Sequence, residues 1–157
     1  MEAHKPQISN LQKKESLENR PQLDLIFNAD CEDYATLSSG ARMLMKINPF
    51  RISLRNLLTG SKRVFDIDIQ TSHYQCDTIK VAIPEGYSLE NAPKPTEVDT
   101  KYGYIKTQII ENENIITYIQ TLELKTGRFS AAEFDEMKKA YTRLETLQGG
   151  QIVFKKI

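Results

Sequence analysis

A mainly β domain, an antiparallel sandwich that is immunoglobulin-like in a loose sense and carries one C-terminal helix, is what the sequence predicts. Three observations predict it. From residue 21 onward, short runs alternate apolar and polar residues, the period-two pattern of strands with one buried face. Only residues 130–147 carry apolar residues at spacings of three and four, the stripe of an amphipathic helix. The β-type runs follow one another through short turns, without the helical crossovers that a parallel sheet needs. The Cys, Trp, Cys spacing of antibody domains is missing, since the chain has no tryptophan.

In order, residues 1–20 are polar and show no sustained apolar period, so they read as a flexible tail or linker ahead of a single domain at 21–157. Leu23, Leu25 and Phe27 alternate with Asp24 and Ile26 and predict a strand with one buried face, with a second short one at 33–37. After Ser38-Ser39-Gly40, Ala41, Met43, Met45 and Ile47 share one face and Asn48-Pro49 stops the run. Phe50, Ile52 and Leu54 fit either a strand or an extended connection. Phe65, Ile67 and Ile69 alternate with Asp66 and Asp68, a strand with a solvated acidic face.

The firmest strand is Ile79, Val81 and Ile83, ended by Pro84, which lacks the N–H to continue a ladder. Gly86 permits a positive φ, and Pro93 and Pro95 keep the next segment extended, so residues 84–95 read as a rigid corner. A short strand at 97–100 and a long one at 102–111 follow. Residues 111–114, Glu-Asn-Glu-Asn, read as a hairpin turn in which Asn supplies the left-handed backbone. The return strand, 115–125, has Ile116, Tyr118, Leu122 and Leu124 on one face and is apolar on both faces at its start, which calls for a cover there. The helix is the expected cover: Ser130 to Glu133 fits a capping box, and Phe134, Met137, Tyr141, Leu144 and Leu147 form its stripe. Gly149-Gly150 is expected to end it in a left-handed cap, before a last strand at Ile152, Val153 and Phe154.

Composition narrows the function. The 157 residues are 39% hydrophobic and 27% charged, with 21 basic and 21 acidic residues giving zero net charge. Such a balance argues against a nucleic-acid partner, and no run approaches the roughly 18 apolar residues of a membrane span. A papain-like site needs a cysteine at a helix N-terminus with a histidine beside it. Cys31 follows a turn and Cys76 adjoins a strand, so neither fits, and no catalytic residue is assigned. His73, Tyr74, Cys76 and Asp77 form a polar cluster near Asp66 and Asp68 that reads as a solvated turn, not a metal site. Glu111/Glu113 and Glu133/Glu136 sit in a turn and on a helix surface, not across a cleft as a glycosidase requires. No metal or cofactor is expected. Tyr87, Tyr102, Tyr104 and Tyr118 are the candidate binding surface, a platform for a glycan or peptide; the competing reading makes them half-buried cross-strand partners. Whether Cys31 and Cys76 bridge stays open.

Residues 79–95, then Tyr102-Gly103-Tyr104, the hairpin at 112–114, residues 134–141 and the closing Gln151-Ile152-Val153-Phe154-Lys155-Lys156 together resemble a domain of unknown function. That domain stands at the C-terminal end of bacterial, exported transglutaminase-like proteins, behind a β-rich domain and a papain-like core. The resemblance spans about residues 23–157. It implies a non-catalytic accessory module in the periplasm or cell envelope. Its partner would be the transglutaminase-like core or another envelope protein, held by an apolar patch and strand-edge pairing. The alternative is a stand-alone glycan- or peptide-binding module using the four tyrosines and the 84–95 corner. An apolar patch near the start of the chain points to the first; a concave site with convergent polar groups and aromatics points to the second.

Overall fold

The computed structural model describes residues 6–18, 21–31, 34–38, 41–54, 57–60 and 62–157. The chain divides into two compact units, residues 1–36 and 37–157.

The first unit holds a two-stranded antiparallel ribbon, β1 (Gln7–Ser16) against β2 (Gln22–Asp30). Residues 7–16, expected within a flexible tail, are therefore a strand, and the first unit extends to Thr36. The reason is physical: β1 is held by backbone pairing to β2, which carries most of the apolar residues, so β1 itself shows no sustained period. A bulge between Ser9 and Gln12 takes up an extra residue, with Asn10 at φ 54°, a conformation asparagine tolerates better than most.

The second unit is an antiparallel sandwich with a helix packed on it. Among the described residues its strands are β3 (Thr36–Ser38), β4 (Arg42–Lys46), β5 (Ile67–Ile69), β6 (His73–Ala82), β7 (Tyr87–Asn91), β8 (Thr96–Asp99), β9 (Gly103–Asn112), β10 (Ile115–Leu124), β11 (Gly127–Phe129) and β12 (Gln151–Lys156). One sheet runs β6-β10-β9-β8, the other β3-β4-β12-β7, and β5 pairs with β11. Residues 48–54 form an extended connection, not a strand. The 84–95 corner contains β7, which the flanking prolines concealed; Gly86 does take φ 77° in the turn that leads into it. His73 to Cys76, expected as a turn, belong to β6. In the β9–β10 hairpin the left-handed residue is Glu113, at φ 50°, and not an asparagine.

Strand β10 organises this unit. Ile116, Tyr118, Gln120, Leu122 and Leu124 all lie buried on one face, yet two different layers cover them. Ile116 and Tyr118 pack with Ile47, Ile152 and Phe154 of the second sheet and its border. Leu122 and Leu124 pack with Phe134, Met137, Tyr141 and Leu144 of α1 (Phe134–Leu147). The start of β10 is thus covered by a sheet, and the helix covers its far end, the reverse of the expectation. The seam between layers is polar: Tyr118 Oη donates to Gln120 Oε1 at 2.9 Å, and Asn48 Nδ2 donates to the same oxygen at 3.2 Å. Burial pushes the Tyr118 hydroxyl up to about 12.

Helix α1 is entered through a 3₁₀ turn, Ala131–Glu133. Glu133 reaches back to accept hydrogen bonds from the Ser130 N–H at 2.8 Å and hydroxyl at 2.9 Å. Lys101 also donates to it at 2.6 Å, and together these donors hold its carboxyl down at about 2. Gly149 and Gly150 do not form a left-handed cap, since neither has positive φ. They are small because neighbours come close: a Cβ on Gly150 would lie 2.3 Å from Pro93 Cγ, and one on Gly149 2.5 Å from Arg51 Nη1.

Candidate functional site

The four tyrosines do not form one surface. Tyr102 is buried beneath α1 and tilted against Phe129 at 5.0 Å between ring centroids. Tyr118 is buried in the sandwich core, and Tyr87 packs half-buried against that same core from β7. Tyr104 alone of the four lies on the outer face of β9, half-buried, donating to Glu97 Oε1 at 3.0 Å. In β-strands adjacent positions face opposite ways, and sequence spacing across several strands does not reveal which face each tyrosine shares.

The cysteines are both free thiols. Cys76 lies exposed on β6 with the Thr121 hydroxyl 3.8 Å from its sulfur. His73 sits three residues earlier on the same strand, which places the two on opposite faces. Asp77 shares a face with His73 and accepts from Gln75 Nε2 at 2.7 Å; burial raises its carboxyl from the ordinary range. Asp66 accepts from Arg128 Nε at 3.0 Å and Asp68 from Gln70 at 3.1 Å. Among the described residues no three His, Cys, Asp or Glu side chains converge as metal ligands, and no helix is long and apolar enough to cross a membrane.

Two surfaces stand out instead. The first is on the ribbon. The register pairs Ile8 with Ala29, Lys13 with Leu25 and Glu15 with Leu23, and the bulge keeps these pairs on one side together with Phe27. Ile8, Leu23 and Leu25 remain 56%, 54% and 51% exposed, and Phe27 is half-buried. Lys13 and Glu15 pair along the same face at 2.5 Å. The opposite face bears Ser9, Gln12, Lys14, Asp24 and Asn28, with Ile26 the one large apolar exception. This is a ten-residue amphipathic ribbon near the start of the chain on whose apolar side Ile8, Leu23 and Leu25 stay about half exposed. The Leu23, Leu25, Phe27 alternation signalled it in the sequence; β1 gave no sign that the strand had a partner.

The second is a concavity of about 610 Å³ where the ends of β4, β7 and β12 meet the C-terminal end of α1. Lys46, Asn91 and Gln151 come from the strand ends, Glu145 and Thr146 from the helix, and Arg51 from the extended connection. Gly149 and Gly150 form part of its wall, and Ile47 N–H donates to Gly150 O at 3.0 Å, tying the two sides together. Its residues come from three distant stretches of the chain, 46–51, 91–93 and 145–151, so no local motif announces it.

In comparison with known families, the family model described as "Domain of Unknown Function with solved-structure structure (DUF3858)" matches residues 41–154. No curated protein matches the chain, and no solved structure does.

Proposed function

The chain belongs to the DUF3858 family, and from that premise we propose that it is a non-catalytic interaction module, the accessory domain of an exported transglutaminase-like protein working outside the cytoplasm. The observation that carries this reading is the exposure of Ile8, Leu23 and Leu25 on one face of the ribbon. A two-stranded hairpin is marginal in water on its own, and apolar area removed from water contributes roughly 25 cal/mol per Å². A partner layer laid on this face therefore stabilises both the ribbon and the complex. The transglutaminase-like core is the partner that the sequence resemblance names, and the long strand β6, at the edge of its sheet among the described residues, offers a second contact by strand addition.

The test mixes the full chain with a separately produced transglutaminase-like core encoded alongside it, and measures association by analytical ultracentrifugation. The expected result is a complex that the double substitution Leu23→Asp/Leu25→Asp abolishes while the second unit stays folded by circular dichroism. A core that sediments independently of the unaltered chain overturns the proposal.

A further inference from the structure

The concavity between the second sheet and α1 has a charge pattern that selects a ligand. Glu145, the one acid that lines it among the described residues, is engaged: Oε2 accepts the Leu54 N–H at 2.9 Å. Its two cations are not, for neither Lys46 nor Arg51 has a hydrogen-bond or ion-pair partner among the described residues. The carboxamides of Asn91 and Gln151 are likewise unpartnered among the described residues and exposed. Helix C-terminal carbonyls would ordinarily oppose an anion here. Those of Leu144 and Thr146 are taken, however, by the N–H groups of Gln148 at 3.2 Å and Gly149 at 3.1 Å.

Arg51 is also placed, not merely present. Its guanidinium lies against Gly149 so closely that a Cβ there would come within 2.5 Å of Nη1. The connection that carries it is pinned at both ends: Asn48 Oδ1 accepts the Phe50 N–H at 2.8 Å, and the buried Gln148 carboxamide accepts from Ile52 N–H at 3.0 Å and donates to Ile52 O at 3.2 Å. An arginine held in this way presents a planar fork suited to a carboxylate. Among the described residues no aromatic ring lines the concavity, so they offer no stacking surface of the kind that neutral sugars use, whereas the carboxamides of Asn91 and Gln151 match the donors and acceptors of a peptide backbone. The volume lies within the range of about 300–1,000 Å³ typical of small-ligand clefts.

We propose that this concavity binds a short acidic peptide segment, with Arg51 and Lys46 receiving carboxylates and Asn91 and Gln151 reading the peptide amides. The assignment is independent of the ribbon and its partner.

The experiment titrates the full chain with hexaglutamate, followed by amide chemical shifts and by fluorescence anisotropy of a labelled peptide. Shifts are expected at Asn91, Gly149, Gly150 and Gln151, with affinity that falls as salt is raised. Arg51→Gln weakens binding at least tenfold, and Lys80→Gln, which removes an exposed cation from the outer face of β6, leaves it unchanged. Gly149→Ala keeps every charge but displaces the guanidinium, and weakens binding several-fold. Equal binding of hexaglutamine overturns the carboxylate assignment. So does an equal loss in Lys80→Gln, which would reduce the effect to net charge. Oligogalacturonate binding here while hexaglutamate does not overturns the peptide in favour of an acidic glycan, and absence of shifts at these four residues overturns the site itself.

Discussion

Two hairpin-like pairs in this chain share a design and differ in fate. The ribbon β1–β2 and the pair β9–β10 are both antiparallel and about ten residues long, and both carry apolar residues on one face. In β10 that face is fully lost to solvent, with Ile116, Gln120 and Leu122 at 0% exposure, whereas Leu23 and Leu25 in the ribbon keep about half of theirs, at 54% and 51%. Both pairs make a backbone ladder, so the ladder does not account for the difference. What distinguishes them is cover: a sheet and a helix lie over β10, while the corresponding face of β2 stays accessible. Hydrogen bonds exchanged for bonds to water contribute little net stability, so the covered pair anchors its unit and the uncovered pair is poised to gain from a partner.

That contrast sets the sizes of the expected effects. The largest is at the covered face. Leu122→Ala removes a fully buried side chain from beneath α1 and should cost about 2–5 kcal/mol, read as a lower urea midpoint. Next comes the contact that lets the helix sit so close. A Cβ at Gly103 would lie 2.7 Å from the Glu123 carbonyl and 2.8 Å from Leu144 Cδ1. Because one of these atoms is backbone and cannot swing aside, Gly103→Ala should cost about 1–3 kcal/mol. A loss in either variant no larger than that of an exposed position would break the claim that cover, not pairing, holds β9–β10.

How far the sequence displayed this contrast depends on which physics wrote it. Strands with one buried face were legible because period-two alternation is a local record of burial, as in Ile79, Val81 and Ile83 or Ile116, Tyr118, Leu122 and Leu124. The stripe of α1 was legible for the same reason at period 3.6. Strand β1 was not, because its pairing rests on backbone groups that every residue has. Strand β7 was hidden by prolines on both sides. The Gly149-Gly150 pair looked like a helix stop, but close approach by Arg51 and Pro93 accounts for it, and that is a long-range fact. The concavity was illegible altogether, since Lys46, Arg51, Asn91, Glu145 and Gln151 meet only after folding.

Two smaller changes sharpen the picture on the covered side. Glu113 carries a left-handed backbone at the turn that joins β9 to β10, where glycine fits without the Cβ penalty. Glu113→Gly should stabilise the second unit by up to about 1 kcal/mol, visible as a higher midpoint in the same urea titration. At the entry to α1, the Glu133 carboxyl titrates at about 2 against an ordinary 4.5. A folded-state value below the unfolded one means its contribution is complete above about 4.5 and is lost as pH falls toward about 2. Glu133→Gln should therefore flatten the stability profile across that acid window and leave its slope at neutral pH unchanged. An identical acid limb in both proteins would show that Glu133 has no part in holding the helix entrance.

The smallest expected effect is the most informative. Leu25→Ala removes a large apolar side chain from the ribbon, a change that in β10 would cost several kcal/mol. Because Leu25 is half-exposed and its transfer from water is incomplete, the change in the isolated chain should fall within about 0.5 kcal/mol, as at other surface positions. On the proposed function, the same substitution should weaken association with a transglutaminase-like core by a factor of ten or more, since the proposal buries that side chain against the partner. Measuring both quantities on one protein separates the two roles that an apolar residue can have. A large stability loss with unchanged association would mean that the ribbon's apolar face already works inside the chain, and the comparison with β9–β10 would then be one of degree only.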